Sequence, residues 1–293
     1  MGGAQKLSDM TATGQGGSGP GKSELRLRTT SSLVLAALAV LTAWTGGWIL
    51  AALWFCAGMA VLTEWLAMTG VQPARPLGAV ATAGLAALLL AYGAGSTLVG
   101  AVAVAVVAAA ALVLGRSGQD RAWMLAGFGY AAAIVLVPLM LRFRPSGGTA
   151  ALLWLFAVVW TTDVAAYFAG RRFGGPKLWP AVSPRKTWSG FAGGVAGATL
   201  AGLAVAILAR NAGVVLPVEL PAVAVLSALA SMVSQAGDLG ESAMKRRFGV
   251  KDSGSLIPGH GGFMDRLDGF AAVAIAIGLV LAGLQLATGR ALP

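Results

Sequence analysis

The stretch TLVGAVAVAVVAAAALVLG, residues 97–115, holds no charged side chain. As a helix rising about 1.5 Å per residue it would reach about 28 Å, close to the ~30 Å hydrocarbon core of a bilayer. A helix apolar on every side belongs in a membrane or a deep core. Seven further apolar runs lie at about 48–68, 77–95, 122–141, 149–170, 188–209, 221–240 and 269–289, with at most one charged residue each. A shorter one, 33–45, joins the run at 48 through Gly46 and Gly47. Over 293 residues, 57% are hydrophobic and 11% charged, against about 25% charged in a soluble domain. Too few charges remain to cover a water-facing surface. A soluble globular enzyme, a coiled coil and a disordered chain are thereby excluded. The expected fold is an all-α, polytopic transmembrane helical bundle of about nine spans.

The charges between the runs set the expected orientation. With nine spans and a cytoplasmic N-terminus, only Arg142, Arg144, Arg210 and Arg290 of the 21 Lys and Arg fall outside. Fusing the first two runs into one span spreads the basic residues over both faces. The positive-inside rule therefore favours nine spans, N-terminus in. The net charge of +10 is explained by these loops and by anionic headgroups or phosphates, with no nucleic-acid partner implied. Residues 1–31, rich in Gly, Ser and Thr, read as a disordered cytoplasmic tail, and residues 32–293 as one membrane domain. The single cysteine, Cys56, allows no intrachain disulfide.

Two polar segments fall on the same cytoplasmic face, at about 171–187 and 238–268. The second gathers Asp238, Glu241, Asp252, Asp265 and Asp268, five of the eleven acids, with Lys245, Arg246, Arg247, Lys251, Arg266 and the only histidine, His260. On a continued helix Asp238, Glu241, Ser242 and Lys245 share one face. Asp265 and Asp268 are three apart at the start of the last run, where a helix N-terminus favours anions. Between them Gly254, Pro258, Gly259, Gly261 and Gly262 form a loop whose amides can approach a ligand. Such a set fits Mg²⁺ with a polyphosphate, because Mg²⁺ takes oxygen ligands and shares them with substrate phosphates while Lys and Arg neutralise the rest. A salt-bridged loop beside a span is the plainer alternative. Gly254 and Gly259 have P-loop spacing, but His260 stands where the Lys of that motif belongs. Asp163, inside a run, is a functional candidate or a buried polar group bonded to a neighbouring helix. Glu64 is read as a packing residue that pairs with a base.

The segment SAMKRRFGVKDSGSLIPGHGGFMDRLD, residues 242–268, resembles the C-terminal signature of the phosphatidate cytidylyltransferases, the CDP-diacylglycerol synthases. That signature runs Ser-x-x-Lys-Arg, Lys-Asp, a Gly-rich loop with His-Gly-Gly, and Asp-Arg-x-Asp. Residues 237–242 (GDLGES), 163–174 (DVAAYFAGRRFG) and 183–188 (SPRKTW) resemble the same family. One position departs: Ser189 stands where the family usually has Glu.

The resemblance implies an Mg²⁺-dependent enzyme that makes CDP-diacylglycerol and pyrophosphate from CTP and phosphatidic acid, at the cytoplasmic face of a bacterial-type cell membrane, as a homodimer among membrane lipids. Carried onto this chain, it makes Asp238 and Asp265 the principal metal ligands, with Glu241 and Asp268 beside them and a second cation allowed for. Lys245, Arg246 and Lys251 would hold the triphosphate, with Ser242, Asp252 and Arg266 as further contacts. His260 and the loop glycines Gly261 and Gly262 would approach the nucleotide or pyrophosphate. Arg171, Arg172 and Lys186 would draw in the lipid phosphate. The competing readings are a polyprenol or dolichol kinase that uses CTP, and a transporter whose polar residues line a pathway.

Overall fold

The computed structural model describes residues 22–256 and 261–288. Among the described residues nine helices follow one another: α1 (Lys22–Thr45), α2 (Gly47–Thr69), α3 (Ala74–Gly93), α4 (Thr97–Leu114), α5 (Gly118–Arg142), α6 (Gly148–Phe173), α7 (Trp188–Asn211), α8 (Leu220–Arg247) and α9 (Met264–Thr288). Eight of them, α2 to α9, are long and apolar enough to cross a membrane. The apolar part of α1, Leu33–Thr45, would measure only about 20 Å as a helix, short of the ~30 Å core. It starts at Lys22, inside the segment expected to be a tail; residues 1–21 lie outside the described residues.

The joined runs at 33–68 form two helices because Gly46 and Gly47 both take positive φ, 67° and 60°, which only glycine adopts without strain. The carbonyls freed at the end of α1 are met by Arg142. Its Nε donates to the Ala43 carbonyl at 2.6 Å and its Nη2 to that of Trp44 at 3.1 Å. A basic side chain thus satisfies acceptors that a helix end would leave without partners.

Small residues bring the spans together, as expected where lipid and side chains are equally apolar. The most extensive interface joins α6 and α7. There a Cβ on Gly190 would stand 2.9 Å from the Ala166 carbonyl oxygen, and one on Gly197 2.6 Å from Ala165 Cβ. Buried hydroxyls and an amide add polar ties across the same region. Trp154 Nε1 donates to Ser227 Oγ, Thr162 Oγ1 to Ser231 Oγ, and Gln235 Nε2 to the Phe191 carbonyl.

The 171–187 segment adds a feature the sequence did not suggest. Lys177–Trp179 (β1) and Ser183–Thr187 (β2) pair as an antiparallel hairpin. Thr187 then caps α7, its Oγ1 accepting from Gly190 N at 3.1 Å, in the manner of an N-cap hydroxyl. The hairpin lies at the bundle end where α6 and α8 finish and α7 and α9 begin.

Candidate active site

At that end α8 and α9 run antiparallel, and they approach closely because residue 237 is glycine. A Cβ there would meet the Asp268 carbonyl oxygen at 2.9 Å. This contact places the acids of α8 against those of α9. Asp238 and Glu241 share one face of α8 with Lys245, as the i, i+3, i+4 spacing requires. Lys245 sits between two carboxylates: its Nζ donates to Asp265 Oδ1 at 2.6 Å and to Glu241 Oε2 at 3.2 Å. Glu241 is buried, and its Oε1 has no hydrogen-bond partner among the described residues.

Asp265 organises the loop before α9. Its Oδ2 accepts from Gly262 N at 2.9 Å and Ser253 N at 3.1 Å. Gly261 turns with a φ of +81°, and a Cβ there would stand 3.2 Å from the same oxygen. Lys245 and two backbone amides therefore already occupy the oxygens of Asp265. Asp268 Oδ1 accepts from Gly269 N at 2.6 Å, and its carboxyl faces that of Glu241. Its charge acts on Glu241, Asp238 and Asp163. Asp163, from α6, joins the cluster through Asp238, Lys186 and Arg266.

The hairpin supplies Lys186, whose ammonium forms an ion pair with Asp238. Asp163, Asp238, Glu241, Asp265 and Asp268 thus come from three helices and meet Lys186, Lys245 and Arg266 at one end of the bundle. Five carboxylates face three cations, so full ionisation of the cluster calls for a further bound cation. Its hard oxygen donors, with one orphaned at Glu241, suit Mg²⁺ shared with phosphate oxygens. Among the described residues no three acids close on one point as a ready-made metal cage.

Other expected site residues are placed differently. Ser242 is half-buried on α8 beside the cluster, while Arg246, Lys251 and Asp252 are exposed around it. Arg171 and Arg172 stand at the exposed end of α6. Arg171 Nη1 donates to the Tyr167 hydroxyl at 2.9 Å, and the Arg172 guanidinium lies 5.9 Å from the Phe173 ring centre. His260 lies outside the described residues. Ser189, at the departing position, donates to the Gly174 carbonyl and contacts Thr187 Oγ1 at 3.0 Å, which ties the hairpin to α7.

Glu64 is the residue whose role the sequence did not disclose. It is buried in α2, where backbone amides and a hydroxyl occupy its carboxylate. Oε1 accepts from Phe263 N at 2.8 Å, and Oε2 from Met264 N at 2.8 Å and Ser253 Oγ at 3.2 Å. A carboxylate from a distant helix thus caps the first turn of α9, where it also complements the helix dipole. Only its position within an apolar run could have marked it.

The model of the cytidylyltransferase family matches residues 26–283. A phosphatidate cytidylyltransferase of Brucella suis biovar 1 is 40% identical over 255 residues, covering 86% of this chain and 91% of that protein. One of Staphylococcus saprophyticus is 32% identical over 266 residues, 88% of this chain and 99% of its own. A third, of Bacillus subtilis, is 41% identical over 126 residues, 43% of this chain and 45% of its own.

Proposed function

This chain belongs to the cytidylyltransferase family, and we propose that it transfers CMP from CTP to phosphatidate, giving CDP-diacylglycerol and pyrophosphate. The observation that carries the reading is the collection of acids from α6, α8 and α9 with Lys186 and Lys245 at one end of a membrane bundle. Lipid-borne phosphate and a soluble nucleotide meet at such a boundary.

The reaction needs no protein nucleophile. A phosphate oxygen of phosphatidate attacks the α-phosphorus of CTP, the new P–O–P bond forms, and the bond to pyrophosphate breaks with its electron pair leaving on pyrophosphate. The protein's task is to position two anions and neutralise their charge. Lys186 is placed to meet the lipid phosphate, since its ion pair with Asp238 holds the ammonium at the cluster. Arg171 and Arg172, exposed on the same side, collect that headgroup from the bilayer. Arg246, Lys251 and Arg266 surround the cluster and hold the triphosphate, together with Ser242, Asp252 and the amides of Gly261 and Gly262. His260 approaches the leaving pyrophosphate from the same loop. Asp238 and Asp268, with Glu241 and Asp265 beside them, would hold Mg²⁺, and a second cation is allowed for. Bound there, the metal would supply charge neutralisation at the phosphates. Lys245 keeps Asp265 and Glu241 in place.

The site faces the cytoplasm of a bacterial-type cell membrane, where CTP is available, and α1 makes the first of nine crossings despite its short apolar part, which sets the N-terminus on the same side. The enzyme works as a homodimer surrounded by membrane lipid. Pyrophosphate release from CTP by purified protein in detergent, with and without phosphatidate and across Mg²⁺ concentrations, tests the reading. Release that requires both, with a cytidine-bearing lipid product, is the expected result. CDP together with a phosphorylated lipid alcohol would replace it with a lipid kinase. Folded protein with no turnover would leave transport as the alternative.

A further inference from the structure

The opposite end of the bundle holds an apolar cavity of about 400 Å³ between α6, α8 and α9, within the ~300–1,000 Å³ range of small-molecule sites. Residues Val223 to Val233 of α8 and Val273 to Leu284 of α9 line its length. That much helix measures about 15 Å, half the ~30 Å hydrocarbon thickness. The cavity is therefore one leaflet deep. Its wall offers nothing to water: the Trp154 indole N–H is already donated to Ser227 Oγ at 2.8 Å, so only the ring is presented.

The mouth is polar. The α5–α6 turn, with Arg144, Ser146 and Gly147, meets the turn before α8, where Ser146 Oγ donates to the Val215 carbonyl. Arg144 is half-buried, and its guanidinium has no partner among the described residues. Other arginines at this end are engaged: Arg142 holds the end of α1, and Arg210 pairs with Glu219 at 2.9 Å. A guanidinium at the rim of a dry slot one leaflet deep is complementary to one end of an anionic phospholipid.

We propose that this cavity holds an acyl chain of an anionic phospholipid from the leaflet at this end, with the lipid phosphate on Arg144. The site is separate from the carboxylate cluster, because the slot ends near Val233, more than a helical turn short of Asp238. It depends on the membrane fold and not on the proposed reaction.

The test uses full-length protein in nanodiscs containing phosphatidylglycerol or phosphatidylcholine with a photoactivatable diazirine halfway along one chain. Irradiation, digestion and mass spectrometry then map the adducts. Phosphatidylglycerol should label peptides 223–233 and 273–284 several-fold more than phosphatidylcholine does. Arg144→Gln should bring that labelling down to the phosphatidylcholine level, while labelling of the exposed face of α4 (Val102, Val104, Val106) stays unchanged. Equal labelling by the two lipids, labelling unaffected by Arg144→Gln, or cavity peptides cross-linked to a second copy in place of lipid would each overturn the proposal.

Discussion

Replacing Glu64 by Gln removes one acceptor from a place where two amides point. In the native chain Phe263 N and Met264 N each donate to a different oxygen at 2.8 Å. Gln keeps one oxygen and turns an NH₂ toward the other donor, so one buried amide loses its partner. An unsatisfied buried group costs about 1–3 kcal/mol, and loss of an N-cap about 1 kcal/mol; these describe the same event, so about 2 kcal/mol is expected. The loss should be local, because Glu64 acts on the first turn of α9. Hydrogen exchange of the peptide covering 253–266 should accelerate by about 30-fold, the equivalent of 2 kcal/mol at 1.4 kcal/mol per tenfold. Turnover should fall with it, since the same turn carries Asp265 and Asp268. Glu64→Ala, which removes both acceptors, should go further in the same direction. Unchanged exchange in both variants would refute the cap. So would lost turnover at unchanged exchange accompanied by a raised Mg²⁺ requirement, which would make Glu64 a metal ligand.

Asp238→Asn should lower turnover by about a hundredfold or more, the scale of losing one preorganised charge at a reacting phosphate, while the circular-dichroism spectrum stays that of folded protein; near-normal turnover would remove Asp238 from the site. Lys245→Met leaves Asp265 and Glu241 with an uncompensated buried charge and should cost about 3–5 kcal/mol, read by thermal unfolding in detergent. Adding Asp265→Asn to that variant should recover part of the loss, a non-additivity expected of directly bonded partners. Gly237→Val should separate α8 from α9 at the Asp268 carbonyl and abolish turnover in protein that still inserts, as judged by protease protection.

The helices themselves were legible because span length and charge asymmetry are local properties of the chain. Gathering Asp238, Glu241, Asp265 and Asp268 also needed little more than topology: an odd number of turns between two spans returns the chain to one face. Three features could not be read. The break between α1 and α2 depends on Gly46 and Gly47 taking positive φ and on Arg142, far along the chain, receiving the freed carbonyls. The hairpin that delivers Lys186 to Asp238 is too short for its alternation to register. Asp238 is held by Lys186 whereas Asp265 is held by Lys245 and two backbone amides, and residue spacing carries no record of that difference. Glu64 is the strongest case: its partners lie near the far end of the chain, and an acid in an apolar run does not say whether it meets a base, a metal or a helix end.

That bond also imposes an order on biosynthesis. Glu64 enters the bilayer with α2, early in translation, whereas the amides it requires arrive only with α9, seven helices later. Until then its carboxylate sits among apolar side chains without the donors that offset its desolvation. A nascent chain that stops short of α9 therefore carries a buried carboxyl without its donors, which favours the protonated acid. Docking of α9 and assembly of the carboxylate cluster thereby become a single event, because the turn that Glu64 caps is the one that carries Asp265.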